Sequence, residues 1–181
     1  MKRTFRLIVP LSLTVLVFGF TTKSISEENA ALIFKSLQRI PATFVSVDSK
    51  TGGISISSGK AMTDEILSKA HAVPNIVTLS LLESPVSDQA VIGILRASPK
   101  LCTLILQGSK VTDVTMRELR RVPSLQYLNV SHTNVSDESI SQIVAMRTLK
   151  ELVIQGTAIT ESGAKRISTA RPEMVVDFIP R

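Results

Sequence analysis

Two stretches decide the fold: Leu101-Cys102-Thr103-Leu104-Ile105-Leu106-Gln107-Gly108-Ser109-Lys110-Val111-Thr112-Asp113 and Leu125-Gln126-Tyr127-Leu128-Asn129-Val130-Ser131-His132-Thr133-Asn134-Val135-Ser136-Asp137. Laid one over the other, both run apolar, x, x, apolar, x, apolar and end on a hydroxyl residue followed by an aspartate. The apolar set recurs at Ile76, Leu79 and Leu81 and at Leu149, Leu152 and Ile154. The acids Asp64, Asp88, Asp113, Asp137 and Glu161 stand 24, 25, 24 and 24 residues apart, preceded by Thr63, Ser87, Thr112, Ser136 and Thr160. Self-similarity at a fixed period of this size marks a chain built of stacked units.

Each unit changes period along its length. Alternation at the apolar set predicts a short strand. The residues three apart that follow, Met116, Leu119 and Val122 in one unit and Ile140, Ile143 and Met146 in the next, predict a helix. The hydroxyl residue can cap free N–H groups at the helix start, and the acid lies where the helix dipole favours negative charge. Proline at Pro74, Pro99, Pro123 and Pro172 stops most helices before the next strand, Arg147 holding that place once. One unit cannot bury its apolar side alone, so the units must stack into a parallel strand ladder backed by helices.

These residues resemble the leucine-rich repeats, whose pattern is L-x-x-L-x-L-x-x-N. Here Ser84, Ser109, Thr133 and Thr157 stand at the Asn position. The departure is similar to the repeats of many short exported bacterial proteins and to the cysteine-containing repeats of F-box adaptors, although no F-box precedes it. The resemblance covers roughly residues 52–178. It implies an α/β solenoid, a short right-handed horseshoe, that binds protein partners of very diverse kinds. It also implies that residues at the Asn position hydrogen-bond the loop backbone of neighbouring turns.

The ends divide the chain further. Residues 1–26 read as an export signal, with Lys2, Arg3 and Arg6 ahead of a 14-residue apolar run from Leu7 to Phe20. As a helix that run would reach only about 21 Å against the roughly 30 Å of a hydrocarbon core. Cleavage and export to the periplasm, envelope or exterior are expected. The alternative is an anchor over residues 7–22 that holds a structural component of the envelope to the membrane. Residues 27–51 read as a cap. Its helix carries Ala30, Ile33, Phe34, Leu37 and Ile40 on one face, and Thr43 to Val47 follow as a strand. Residues 52–181 hold about five units, with a last strand over Met174 to Ile179.

Composition narrows the chemistry. The full chain of 181 residues carries 21 basic and 15 acidic groups, but four basic residues (Lys2, Arg3, Arg6 and Lys23) belong to the leader, which leaves 17 against 15. No basic nucleic-acid-binding face is expected. The one cysteine, Cys102, excludes a disulfide within the chain and a multi-cysteine metal site. His71 and His132 have no ligand partner at metal spacing, and Ser58-Gly59-Lys60 lacks the leading glycine of a phosphate loop. The acids of the grid lack the clustered oxygens of a calcium loop. The sequons at Asn129 and Asn134 are taken as coincidence in a chain whose resemblance is bacterial. No cofactor, metal or catalytic group is expected.

The strand surface facing away from the helices remains as the site. With offsets zero, three and five inward, it presents Thr78, Ser80 and Leu82, then Thr103, Ile105 and Gln107, then Tyr127, Asn129 and Ser131, then Glu151, Val153 and Gln155. The expected contact residues for a protein partner on this concave face are Tyr127, Ile105, Asn129, Val153, Thr103, Gln107, Glu151 and Gln155. Tyr127 is the lone tyrosine, a rigid amphipathic ring of the kind favoured at protein interfaces.

Overall fold

The computed structural model describes residues 43–73 and 75–181, together with Ser36, which is helical. The leader, the rest of the helix expected over 27–39, and Pro74 lie outside the described residues. Strand β1 (Phe44–Val47) turns back through Asp48 onto β2 (Ile54–Ser58), and the two pair antiparallel. The Asp48 carboxylate accepts the N–H groups of Thr51 and Lys50, which hold its pKa below the ordinary carboxylate value, and Gly52 takes the left-handed backbone (φ 68°) the turn requires.

From β2 onward every strand is parallel to the last: β3 (Ile76–Leu81), β4 (Thr103–Ile105), β5 (Tyr127–Asn129), β6 (Glu151–Val153) and β7 (Val175–Asp177). The spatial order of the seven strands is their order in sequence, as stacked units require. Leu79, Leu104, Leu128, Leu152 and Val176 lie level across the sheet, so the apolar offsets of the sequence set the register. Backbone pairing runs past the strand ends: the N–H groups of Glu83, Gly108, His132 and Gly156 donate to the carbonyls of Gln107, Ser131, Gln155 and Ile179.

Among the described residues, five helices of the repeats pack on one side: α1 (Asp64–Lys69), α2 (Asp88–Ala97), α3 (Asp113–Leu119), α4 (Ile140–Ala145) and α5 (Glu161–Ala170). Each begins at the hydroxyl–acid pair of its unit, except that α4 is led in by a 3₁₀ turn over Asp137–Ser139. The core between sheet and helices holds the offset-zero, three and five residues of the units of β3 to β6 together with Leu67, Ile94, Met116, Leu119, Ile143 and Ile167. A core built of aliphatic side chains suits the narrow gap of a repeat, where each layer must match the next in size. Among the described residues no helix is long and apolar enough to cross a membrane.

Candidate functional site

The units are joined by a ladder of carboxylates. Asp64 accepts the N–H (2.8 Å) and hydroxyl (2.6 Å) of Ser87 in the following unit. Asp113 does the same for Ser136 (2.9 and 2.7 Å), and Asp137 for Thr160 (2.9 and 2.7 Å). Asp88 makes four such contacts, to the N–H and hydroxyl of Thr112 (2.9 and 2.8 Å) and of Thr115 (3.0 and 2.6 Å). Of these, three of the four hydroxyls at helix starts also accept an N–H of the helix they begin: Thr112 from Val114, Ser136 from Glu138 and Thr160 from Gly163. Burial pushes the Asp113 carboxyl up, but the Ser139 hydroxyl and the N–H and hydroxyl of Ser136 outweigh it and hold its pKa below the ordinary value. The sequence reading placed these acids at the helix dipole and missed their reach into the next unit. The grid itself carried the signal, because Glu161 replaces Asp on the last helix described.

The Asn-position hydroxyls depart from what the resemblance implies. Ser109, Thr133 and Thr157 donate to Leu106, Val130 and Ile154, carbonyls of their own turns (2.6, 2.6 and 2.8 Å); Ser84 alone crosses to a neighbouring turn, at Gly59 (2.8 Å). A hydroxyl is shorter than an asparagine amide and reaches the carbonyl beneath it first. Contact between turns is carried instead by the backbone and the carboxylates.

A second row was also overlooked. Glu83, Gly108, His132 and Gly156 share one offset, and all have positive φ (53°, 70°, 55° and 62°), so the chain leaves β3, β4, β5 and β6 through a left-handed residue. His132 is a turn residue whose ring lies on Gly156, where a Cβ would meet it at 2.4 Å. The His71 ring lies on Gly93 in the same way. Lys60, beside the Ser58-Gly59 turn, pairs with Glu83 (2.9 Å), and the Cys102 thiol donates to the Lys100 carbonyl (3.4 Å). No cluster of His, Cys, Asp or Glu among the described residues could hold a metal ion.

Arg171 went unnoticed in sequence. Its side chain is 1% exposed. Its guanidinium donates to the carbonyls of Met146 (2.7 Å), Leu149 (2.9 Å), Arg147 (3.3 Å) and Val144 (3.4 Å), which leave the end of α4. Its Nε donates to Glu173, and that hydrogen bond holds the Glu173 pKa below its ordinary value. One buried cation thus closes several orphan carbonyls of a helix end.

The open side of the sheet collects the eight expected contact residues in two rows and a rim. Thr103, Tyr127 and Glu151 are level neighbours, as are Ile105, Asn129 and Val153; Gln107 and Gln155 follow just past the strands. They do not contribute equally. Asn129 and Val153 are only 9% and 8% exposed, so they form the floor and do not offer contact area. The Asn129 carbonyl accepts the Ser131 N–H (2.9 Å) and its amide donates to Gln107 (3.4 Å), which ties it into the sheet. β7 extends the rows with Val175 and Asp177, and Gln155 donates to Asp177 (2.7 Å). Exposed apolar side chains ring the floor: Phe44 at one edge, Leu82 at the rim, and Val175 and Ile179 at the far edge. Glu151 and Asp177 are the carboxylates of this side, which has no basic residue in its rows.

A family model described as leucine rich repeat matches residues 123–144. No curated protein sequence matches the chain. Among solved structures it is similar to an internalin of Listeria monocytogenes, with a TM-score of 0.51 and 17% identity over 77% of this chain and 34% of that one. Internalin C2 of the same species gives 0.51 and 18% over 77% and 61%. The chain therefore spans about a third and three-fifths of the length of these two. Leiomodin-1 actin-binding site 2 gives 0.51 and 18% over 81% and 87%. At such identities the likeness is one of fold.

Proposed function

We propose that this solenoid of leucine-rich repeats is an exported, non-catalytic protein-binding module whose contact surface is the open side of the sheet. The observation that carries the reading is the distribution of exposed apolar side chains. Among the described residues, the large ones are Phe44, Leu82, Val114, Val175 and Ile179, and all but Val114 stand on the open side or its edges. Isolated exposed apolar residues need no explanation, whereas a set framing one continuous surface marks an interaction site. Tyr127 and Ile105 lie between them, half-buried, with the hydroxyls and amides of Thr103, Gln107 and Gln155 as hydrogen-bonding groups. A floor of buried side chains with a polar and apolar rim is the composition of a protein interface. That the similar leiomodin-1 structure is an actin-binding site supports protein contact by this architecture. Export rests on the basic start and apolar run of the leader.

Affinity for a partner captured from the cell envelope tests the surface. Tyr127→Ala and Ile105→Glu should each weaken binding about tenfold or more, as loss of a central contact does. Circular dichroism should be unchanged, and Lys165→Glu on α5 should bind as wild type. Full binding by both open-side variants would remove the site from this surface. Amino-terminal sequencing tests export: the mature chain should begin between Thr21 and Glu28, and an intact Met1 in a soluble cytoplasmic product would refute it.

A further inference from the structure

Where α2, α3 and α4 meet, the helix side bears a groove of about 540 Å³ whose lining includes Ile92, Val114, Arg117, Arg120, Gln142 and Ala145. Val114 is 42% exposed, the exception among the large exposed apolar residues in standing on this side. The groove lining carries two basic residues, Arg117 and Arg120, against one acid, Glu118. Asp88 is engaged by Thr112 and Thr115, and Asp113 by Ser136 and Ser139. Glu118, also in the lining, is held by Arg121 (2.9 Å) and Arg96 (3.6 Å). α4 brings no charge at all. Glu138, exposed on the 3₁₀ turn ahead of it, forms no ion pair with either groove arginine. None of the ion pairs among the described residues involves Arg117 or Arg120. Two guanidiniums outside any ion pair therefore flank an apolar strip; Asp113, the acid near enough to Arg117 to feel its charge, is already engaged by Ser136 and Ser139.

We propose that this groove docks an acidic, partly apolar peptide segment of a partner protein, independently of the open side of the sheet. The guanidinium fork pairs with a carboxylate through two parallel hydrogen bonds, and Ile92, Val114 and Ala145 supply the apolar strip between them. Charge complementarity selects the acidic segment. The chemistry of the groove disfavours a nucleic acid, because its lining has no aromatic side chain to stack a base. A recess between helices also suits a narrow chain better than the plane of a bilayer.

The test uses the full chain and two fluorescein-labelled dodecapeptides of Leu, Ser and Glu, identical except that the second carries Gln for Glu. Fluorescence anisotropy at low salt should show the Glu peptide binding at least about tenfold tighter than the Gln peptide. The double variant Arg117→Ala, Arg120→Ala should lose about tenfold for the Glu peptide, Val114→Ser should lose several-fold, and Tyr127→Ala should lose nothing. All these positions are exposed or half-buried, so thermal melting should confirm that the variants fold. Equal binding of the two peptides, no binding of either, or an undiminished affinity in the double variant would overturn the proposal. Displacement of the Glu peptide by phosphatidylserine vesicles or by a single-stranded oligonucleotide, with tighter binding of the competitor, would overturn it too.

Discussion

Replacing Asp88 with alanine tests whether the carboxylates hold the units together. The side chain accepts four hydrogen bonds from the next unit, two from Thr112 and two from Thr115. Thr112 is half-buried and can turn to water, so its share is small. Thr115 is fully buried, and its hydroxyl would lose its acceptor, whereas its N–H keeps the Thr112 carbonyl at 3.2 Å. A buried donor left unmade costs about 1–3 kcal/mol, and that one hydroxyl sets the expected loss. For a chain of this size each kcal/mol moves Tm by about 2–4 °C, giving a drop of roughly 2–12 °C. Urea unfolding followed by circular dichroism measures the free energy. Glu161→Ala, at the same offset on α5, should stay within about 0.5 kcal/mol of wild type, as surface substitutions do. Combining Asp88→Ala with Thr115→Val should cost less than the sum of the two, because the second change removes the orphaned hydroxyl. An Asp88→Ala protein within about 0.5 kcal/mol of wild type would refute the reasoning, and additivity in the cycle would deny the hydroxyl contact.

Leu128→Ala, in the middle layer of the core, should cost about 2–5 kcal/mol in the same assay, and a value near zero would deny the strand register. Arg171→Ala should cost about 3 kcal/mol by uncovering the carbonyls behind α4, with hydrogen exchange rising first around Ile143 to Leu149; unchanged exchange there would place the effect elsewhere. The Asp113 pKa is lowered in the folded chain, so its contribution is present above the unfolded value near 3.8 and is lost as pH falls through the folded value. Asp113→Asn should therefore flatten the acid limb of stability against pH below about pH 4 while lowering the plateau above it, and parallel curves would contradict the assignment.

The fold was legible because the solenoid repeats one solution. An error at one unit is corrected by the others, and the offsets of Leu104, Leu128 and Leu152 agree with the observed register. Helix starts were legible for the same reason, since Thr112, Ser136 and Thr160 cap as hydroxyl residues do. What escaped reading lies between units. Asp88 looks the same in sequence whether it faces its own helix dipole or the next threonine, because periodicity reports which face a residue occupies and not how far it reaches. Burial on the open side escaped for a related reason: Val153 and Asn129 are covered by neighbours in adjacent rows, and a pattern of period two has no term for crowding across strands. Arg171 departs from its row, and a repeat reading averages such departures away.

The carboxylate ladder has a direction. Each aspartate belongs to one unit and holds the start of the following helix, so contact is always offered by the earlier residue and received by the later one. A chain that emerges amino end first thus presents a placed acceptor to every hydroxyl as it arrives, and each completed unit is a template for its successor. Assembly in the opposite sense would leave each waiting hydroxyl without its acceptor until the unit before it had folded. The polarity of a single hydrogen-bond pattern, repeated four times, thereby favours one order of growth in an otherwise nearly symmetric stack.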